Sequence, residues 1–138
     1  AGDMLPRMIE RAAQLRLQEK FHFTGFLRGA ERERIFSQSD LYVMPSVSEP
    51  FGITPFEVMK YGVPIIVSKQ SGVTEVIENA LKIDFWDIDQ LSEAILKVLA
   101  DPKMSGQMVE GSLRELEKID WSNPAQKIID IYYRELQS

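Results

Sequence analysis

Two glutamates, Glu49 and Glu57, carry the chemical signal of this sequence, and seven residues separate them. Gly52 lies between them, and Thr54-Pro55 fits the start of a helix. The start of a helix exposes unpaired N–H groups that suit a phosphate, and a glycine there lets a ligand approach the backbone. Carboxylates beside a phosphate site can accept hydrogen bonds from hydroxyl groups. Phosphate and hydroxyl groups on one ligand indicate a nucleotide sugar.

The same residues also have purely structural interpretations. Residues 54–57, Thr-Pro-Phe-Glu, match a capping box, in which Glu57 would only stabilise the end of a helix. Gly52 could be an ordinary turn glycine. Glu49 is harder to explain in this way, because it lies beside Pro50 in a loop after a predicted strand, where open α/β sheets place ligand groups. The local pattern leaves both interpretations open and does not specify a reaction.

A predicted strand–helix–strand unit positions these residues. Residues 41–44 and 63–67 are apolar runs without alternation, which is typical of parallel strands covered on both faces. The pattern predicts a short helix between them, with Gly62 at its end and Pro64 preventing its continuation.

Residues 45–68, PSVSEPFGITPFEVMKYGVPIIVS, resemble the signature of retaining glycosyltransferases of the GT-B fold in family 4, the glycosyl transferases group 1. The matching features are P-S, E-P-F-G, the second glutamate, a Met-containing helix and G-x-P. Further matches lie at residues 21–26, 39–40, 71–75 and 89–91. The resemblance implies an α/β fold with a Rossmann-like parallel sheet flanked by helices, namely the C-terminal half of a GT-B fold without its first strands.

The resemblance also implies a role for individual residues. The residue matching Glu49 lies near the donor sugar and is the candidate catalytic residue. The residue matching Glu57 binds the ribose hydroxyl groups. Backbone N–H groups in the turn before the helix contact the phosphates or sugar, and this turn comprises Phe51, Gly52, Ile53 and Thr54. Two further donor-binding residues flank the base at the end of a strand, namely Phe26 and Leu27.

The reaction implied by the resemblance is glycosyl transfer with retained anomeric configuration. The donor would be a nucleotide sugar such as a UDP-, GDP- or ADP-sugar, bound as a substrate, with no cofactor and no metal ion. The acceptor would be a carbohydrate or a lipid-linked molecule, held by an N-terminal domain of a longer parent protein. Residues 1–138 are therefore expected to form a partial C-terminal donor-binding domain, which lacks the first strand, its helix and the second strand.

Three other functions are compatible with the same residues. The chain could bind a nucleotide sugar and catalyse nothing, or it could belong to a glucosyltransferase similar to glycogen or starch synthase. A glycoside hydrolase using Glu49 and Glu57 as an acid/base pair is disfavoured, because such carboxyl groups lie on opposite sides of a sugar, whereas these two flank one turn. Sugar release without any nucleotide would identify the hydrolase.

The composition agrees with a globular protein. Of 138 residues, 44% are hydrophobic and 27% are charged, which allows a packed core. The net charge of −5 without a dense Lys/Arg cluster argues against nucleic acid as a partner. No apolar run approaches the roughly 20 residues of a membrane span. The chain has no cysteine and no signal peptide, so a cytoplasmic location is expected, with the inner membrane face as an alternative for the full-length parent.

The remaining elements follow from periodicity. We expect helices over residues 3–17, with Asp3 as N-cap, and over 28–39, 71–78 and 104–117. A further helix is expected between Asp87 and Pro102. Strands are expected at 21–26, where His22 would be structural, and at 80–85. Trp121 is expected to be a packing anchor before a last helix, whose apolar stripe comprises Ile128, Ile129, Tyr132 and Leu136.

Overall fold

The computed structural model describes residues 2–120 and 122–136, and the chain divides after Ile35 into two compact units. The described helices are α1 (Leu5–Gln14), α2 (Gly29–Ser37), α3 (Thr54–Met59), α4 (Ile88–Ala100), α5 (Pro102–Leu116) and α6 (Ser122–Leu136). The strands are β1 (Tyr42–Met44), β2 (Ile65–Ser68) and β3 (Leu81–Ile83), and a 3-10 turn covers Gly72–Glu75.

The three strands form one parallel sheet in the order β1-β2-β3. Tyr42 lies opposite Ile65 in the first pair of strands, and Ile66 lies opposite Leu81 in the second. Helix α3 connects β1 to β2, so the predicted strand–helix–strand unit is confirmed. The α/β class with a parallel sheet flanked by helices is confirmed with it.

Alternating side chains of the sheet contribute to two apolar cores, one on each face. Met44, Ile65 and Val67 pack on one face with Met59 of α3. Ile66 and Ile83 point to the other face, where they meet the buried side of α4 and α5 formed by Ala94, Val98 and Met108. Because both faces are covered, these strands are apolar without alternation, as expected for a parallel sheet.

Helix α3 is only six residues long and ends where the sequence predicts. Gly62 adopts a φ of +68°, and its N–H group donates to the carbonyl oxygen of Met59 at 3.0 Å. Such a left-handed residue after a helix is usually glycine, because it has no Cβ to clash with the preceding turn. The carbonyl of Pro64 then accepts the N–H of Tyr42 at 3.0 Å, which starts the pairing of β2 with β1.

Aspartates define the ends of α4 and α5. The side chain of Asp87 accepts the N–H of Gln90 at 2.9 Å, which confirms it as the N-cap of α4. Asp101 is both the C-cap of α4 and the N-cap of α5. Its side chain accepts hydrogen bonds from the N–H groups of Lys103 and Met104 at the start of α5. The predicted start of α5 at residue 104 is therefore wrong by two residues, since Pro102 takes the first helical position, where its missing N–H costs nothing.

The sequence-based prediction is wrong at residues 21–26, which form a loop and not a strand. A strand requires a neighbour to pair with its backbone groups. In the classic doubly wound order 3-2-1-4-5-6, the third strand pairs with the second, and no strand precedes residue 21 in the described part of the chain. The side chains of Phe21 and Phe23 instead contact each other, with their ring centroids 4.9 Å apart.

Other element boundaries also differ from prediction. Helix α1 begins at Leu5 after Met4, so Asp3 is not its N-cap; the N–H of Leu5 is instead satisfied by the carbonyl of Gly2 at 3.0 Å. The helix expected over 71–78 is reduced to one 3-10 turn.

Helix α6 is present, but no residue in its described part is buried, and its apolar stripe is exposed. Trp121 lies outside the described residues. None of the described helices is long and apolar enough to cross a membrane.

Candidate functional site

Glu49 lies in the loop that follows β1, at the carboxyl edge of the sheet. Its backbone forms an isolated parallel bridge with Ser71, in the loop that follows β2. The carbonyl oxygen of Glu49 accepts the N–H of Gly72 at 2.9 Å. The side chain of Glu49 is partly exposed. This places a carboxylate where open parallel sheets hold their ligands.

Gly52 forms the turn between Glu49 and α3. Its φ is +81°, a conformation that other residues rarely adopt. A Cβ atom at this position would also lie 3.0 Å from Cγ of Glu49 and 3.2 Å from Cε of Met44. A side chain at this position would therefore strain the backbone, and it would also require the side chains of Glu49 and Met44 to move.

Glu57 lies in the first turn of α3. The N-cap of this helix is Ile53, whose side chain makes no capping hydrogen bond, and not Thr54, where the predicted capping box begins. The backbone N–H of Glu57 donates to the carbonyl of Ile53 at 3.2 Å. Glu57 also lines a cleft of about 520 Å³ together with Phe51 and Ile53.

The walls of this cleft are mostly apolar. The rings of Phe51 and Phe56 are stacked, with centroids 5.6 Å apart and planes at 23°. Lys60 and Asp120 add polar groups, and the other lining residues come from the end of α5, the following loop and the start of α6: Leu116, Ile119 and Pro124. The structure thus brings Phe51, Ile53 and Glu57 to one surface.

Tyr42 is a residue whose pKa depends on both glutamates, and the sequence did not indicate it as a site residue. Burial raises the pKa of the Tyr42 phenol above 10.0, a side-chain hydrogen bond with Thr54 lowers it, and the carboxylates of Glu49 and Glu57 raise it further. The effects of the two carboxylates on this pKa are smaller than those of burial and of the hydrogen bond with Thr54. The sequence did contain a clue to this position of Tyr42. It lies in β1 two residues before the buried Met44, so both side chains point to the face that α3 covers.

A second polar group lies at the carboxyl ends of β2 and β3. Lys69 Nζ donates to Asp84 at 2.8 Å, and Gln70 Nε2 donates to the same carboxylate at 3.0 Å. These hydrogen bonds, that of Lys69 first, lower the pKa of Asp84 below its ordinary value of 3.8. They join the loop after β2 to the end of β3.

Phe26 and Leu27, the residues predicted to flank a base, belong to the first compact unit, whereas Glu49 to Glu57 belong to the second. The ring of Phe26 is 77% exposed, and the guanidinium carbon of Arg28 lies 4.9 Å from its centroid. His22 is exposed in the neighbouring loop. Within residues 2–120 and 122–136, no three His, Asp or Glu side chains are grouped so that they could hold a metal ion.

Comparison with known proteins agrees with this architecture. The family model of glycosyl transferases group 1 matches residues 1–114. An uncharacterized glycosyltransferase of Methanocaldococcus jannaschii, MJ1607, is 30% identical over 137 residues, which cover 96% of this chain and 35% of that protein.

Solved structures give the same result. Sucrose-phosphate synthase from Thermosynechococcus elongatus matches with a TM-score of 0.80 and 25% identity, over 96% of this chain and 34% of that one. Anabaena Alr3699/HepE in complex with UDP matches with a TM-score of 0.82 and 21% identity, over 96% of this chain and 37% of that one. The present chain thus spans about a third of the length of these proteins. It belongs to the glycosyl transferases group 1 family, whose solved members here have the GT-B fold.

Proposed function

We propose that the full-length protein transfers a glycosyl group from a nucleotide sugar to an acceptor with retention of configuration, and that this chain supplies the donor-binding domain. The observation that carries the proposal is the position of Glu49 in the loop at the carboxyl edge of a parallel sheet, beside the left-handed turn at Gly52 that leads into the helix of Glu57. This places two carboxylates and a closely approachable backbone at the carboxyl edge of a parallel sheet.

Each group has a role that its position suits. Glu49 orients the hydroxyl groups of the donor sugar, and Glu57 holds the ribose. The backbone N–H groups of residues 51–54 contact the phosphates and stabilise the departing nucleoside diphosphate while positive charge develops on the sugar. Phe26 and Leu27 flank the base, a role that suits the exposed ring of Phe26.

The donor class is a nucleoside diphosphate sugar, such as a UDP-, GDP- or ADP-sugar. A protein of the same fold, Anabaena HepE, has been solved with UDP and with UDP-glucose. The donor is a substrate, and the proposal requires neither a cofactor nor a metal ion. The acceptor, a carbohydrate or a lipid-linked molecule, is bound by another part of the full-length protein.

A second candidate is a module that binds a nucleotide sugar without transferring it. The observation that favours it is the mostly apolar cleft of about 520 Å³ beside Glu57, because such a cleft can hold a ligand without an acceptor site. A glycoside hydrolase is disfavoured, because Glu49 and Glu57 flank one turn, whereas a hydrolytic pair has its carboxyl groups on opposite sides of a sugar.

The test is a panel of nucleoside diphosphates and nucleotide sugars, offered to the full-length protein and read by thermal shift. A nucleotide at 100 times its Kd stabilises the folded state by about 2.7 kcal/mol, so a correct base gives a clear shift. Turnover of the preferred donor with a mixed acceptor pool, with the anomeric configuration of the product read by NMR, then separates a transferase from a binding module. The proposal fails if no nucleotide shifts the melting temperature, or if sugar is released without any nucleotide.

A further inference from the structure

Glu49 is held by the loop that follows β2, and the contact between them is unusually close. The N–H of Gly72 donates to the carbonyl oxygen of Glu49 at 2.9 Å, and the two loops form a parallel bridge one residue earlier, at Ser71. A second hydrogen bond between the two loops lies nearer to the sheet, where the hydroxyl of the buried Ser68 donates to the carbonyl of Ser46 at 2.6 Å. The backbone around Glu49 is thus fixed at two points by one neighbouring segment.

Gly72 is required by space and not by its backbone conformation. Its φ is outside the left-handed region, so another residue could adopt the same backbone. A Cβ atom, however, would overlap the carbonyl oxygen of Pro50 and would lie 2.9 Å from the Pro50 carbonyl carbon and 3.2 Å from Cα of Phe51. All of these are backbone atoms that no side-chain rotation can move. Any side chain at position 72 must therefore change the distance between this loop and the turn that follows Glu49.

Gly52 leaves room for the side chain of Glu49, since a Cβ at this position would lie 3.0 Å from Cγ of Glu49. Because the carbonyl oxygen of Glu49 is bonded to the N–H of Gly72, a shift of the loop after β2 would displace the backbone of Glu49 and its side chain with it.

We propose that residues 68–72, which we call the clamp segment, position Glu49 for glycosyl transfer, with Gly72 and Ser68 as positioning residues. This inference rests on the proposed function, since it assigns the clamp segment to the sugar-orienting glutamate of that reaction. The clamp segment need not touch the nucleotide, so its disruption affects turnover and leaves the affinity for nucleoside diphosphate largely unchanged.

The experiment compares Gly72→Ala, Ser68→Ala and a control, Gly106→Ala, in the full-length protein. A Cβ at Gly106 meets open space, so the control measures the effect of adding a methyl group alone. For Gly72→Ala we expect kcat to fall by about tenfold or more, because small misplacements of reacting groups are costly. The Kd for the nucleoside diphosphate should change by less than about threefold. Ser68→Ala should show the same split with a smaller loss, and Gly106→Ala should match the wild type.

Two results would overturn the proposal: a folded Gly72→Ala variant with wild-type kcat, or equal losses of turnover and nucleotide affinity. If Gly72→Ala does not fold, Ser68→Ala decides in its place, and wild-type turnover by that variant overturns the proposal. A wild-type protein that transfers no sugar from any nucleotide donor counts against the proposed function instead. In that case, amide hydrogen exchange at Gly72 tests whether the clamp segment is held in place. Slow exchange in the wild type that becomes faster in Ser68→Ala supports the clamp segment, whereas fast exchange in the wild type refutes it.

Discussion

Glu49 and Glu57 have the same side chain, but their backbones are held in different ways. Glu49 lies in a loop that the neighbouring loop after β2 holds at two points, whereas Glu57 lies in a regular helical turn with its N–H bonded to Ile53. A group in a tightly held loop suits the orientation of a reacting sugar, since catalysis depends on precise placement. A group on a helix that lines an open cleft suits the binding of a nucleotide. This difference leads to separate predictions for the two glutamates.

We predict that Glu57→Ala in the full-length protein weakens nucleotide binding. The loss of charge-assisted hydrogen bonds to ribose should cost about 1.5–3 kcal/mol of binding free energy. Isothermal titration calorimetry with the preferred nucleotide measures this directly. Glu93→Ala, an exposed glutamate of α4, serves as the matched control and should bind as the wild type does. A loss of stability of about 1 kcal/mol with unchanged nucleotide affinity would instead indicate a helix-stabilising role for Glu57.

For Glu49→Ala, we predict that turnover falls more than the affinity for the nucleoside diphosphate does. The proposed partner of Glu49 is the donor sugar, which the free diphosphate lacks. Steady-state kcat and the Kd of the diphosphate are the two quantities to compare, and Glu49→Gln separates the loss of charge from the loss of volume. Equal losses in kcat and affinity would move Glu49 into the nucleotide subsite.

At this scale the sequence predicted the residues that a motif fixes and missed those that only packing selects. Gly52 and Gly62 have left-handed conformations, as their places in the sequence suggested. Tyr42 was not predicted, because its relation to the glutamates depends on which face of β1 the helix α3 covers. The close contact of Gly72 with Pro50 was also invisible, since it depends on how near two loops approach.

At the scale of elements, residues 21–26 and 41–44 show why apolar patterning alone does not define a strand. The second segment becomes β1 because β2 pairs with it. The first has no partner among the described strands and remains a loop. Elements whose hydrogen bonds are internal, such as α4 and α5, were predicted within a few residues. Strands need a neighbouring strand, and their predictions were correct only where the structure describes such a neighbour.

Helix α5 contains two glycines with opposite surroundings, which yields a paired prediction. A Cβ at Gly111 would overlap the side chain of Asn79, which is itself held by the carboxylate of Glu115 through a side-chain and a backbone N–H. Gly111→Ala should therefore displace Asn79 and lower the free energy of unfolding by about 1–3 kcal/mol. Gly106→Ala meets open space and should raise it by about 0.4–1 kcal/mol. Chemical denaturation of both variants measures the difference, and equal stabilities would refute the packing argument.

The link between β2 and β3 through Asp84 predicts a dependence of stability on pH. Lys69 and Gln70 lower the pKa of Asp84 in the folded state below 3.8, so its ionised form stabilises the fold. This contribution is complete above the unfolded-state pKa and is lost as the pH falls through the lower, folded-state value. Asp84→Asn should therefore lower the melting temperature at pH 7, and the difference from wild type should shrink towards pH 3. Glu93→Gln is the control, and a difference that does not change with pH would exclude this cause.

At the scale of the whole molecule, the described sheet has three strands, and both outer strands, β1 and β3, pair on one side only among the described residues. The chain spans about a third of the length of its relatives. The family and the parallel sheet were predictable, since the motif at residues 45–68 is specific. The loop at residues 21–26 was not, because the strand predicted there has no partner among the described strands.

The last prediction concerns a polypeptide of these 138 residues on its own, which we expect to transfer no sugar and to bind nucleotides weakly. The proposed donor site is open, with Phe51 and Ile53 exposed, and an open site cannot exclude water from the reacting sugar. Of the residues that line the cleft beside Glu57, Lys60 is the one cation. A helix end contributes only about 0.3–1 kcal/mol towards an exposed charge, which is too little to hold a diphosphate firmly.

The purified polypeptide, offered nucleotide sugars and a mixed acceptor pool, should give no product, with the full-length protein as the positive control. Comparable turnover by both would show that residues 1–138 contain the complete catalytic apparatus and would refute the role proposed here for an acceptor-binding part elsewhere in the protein.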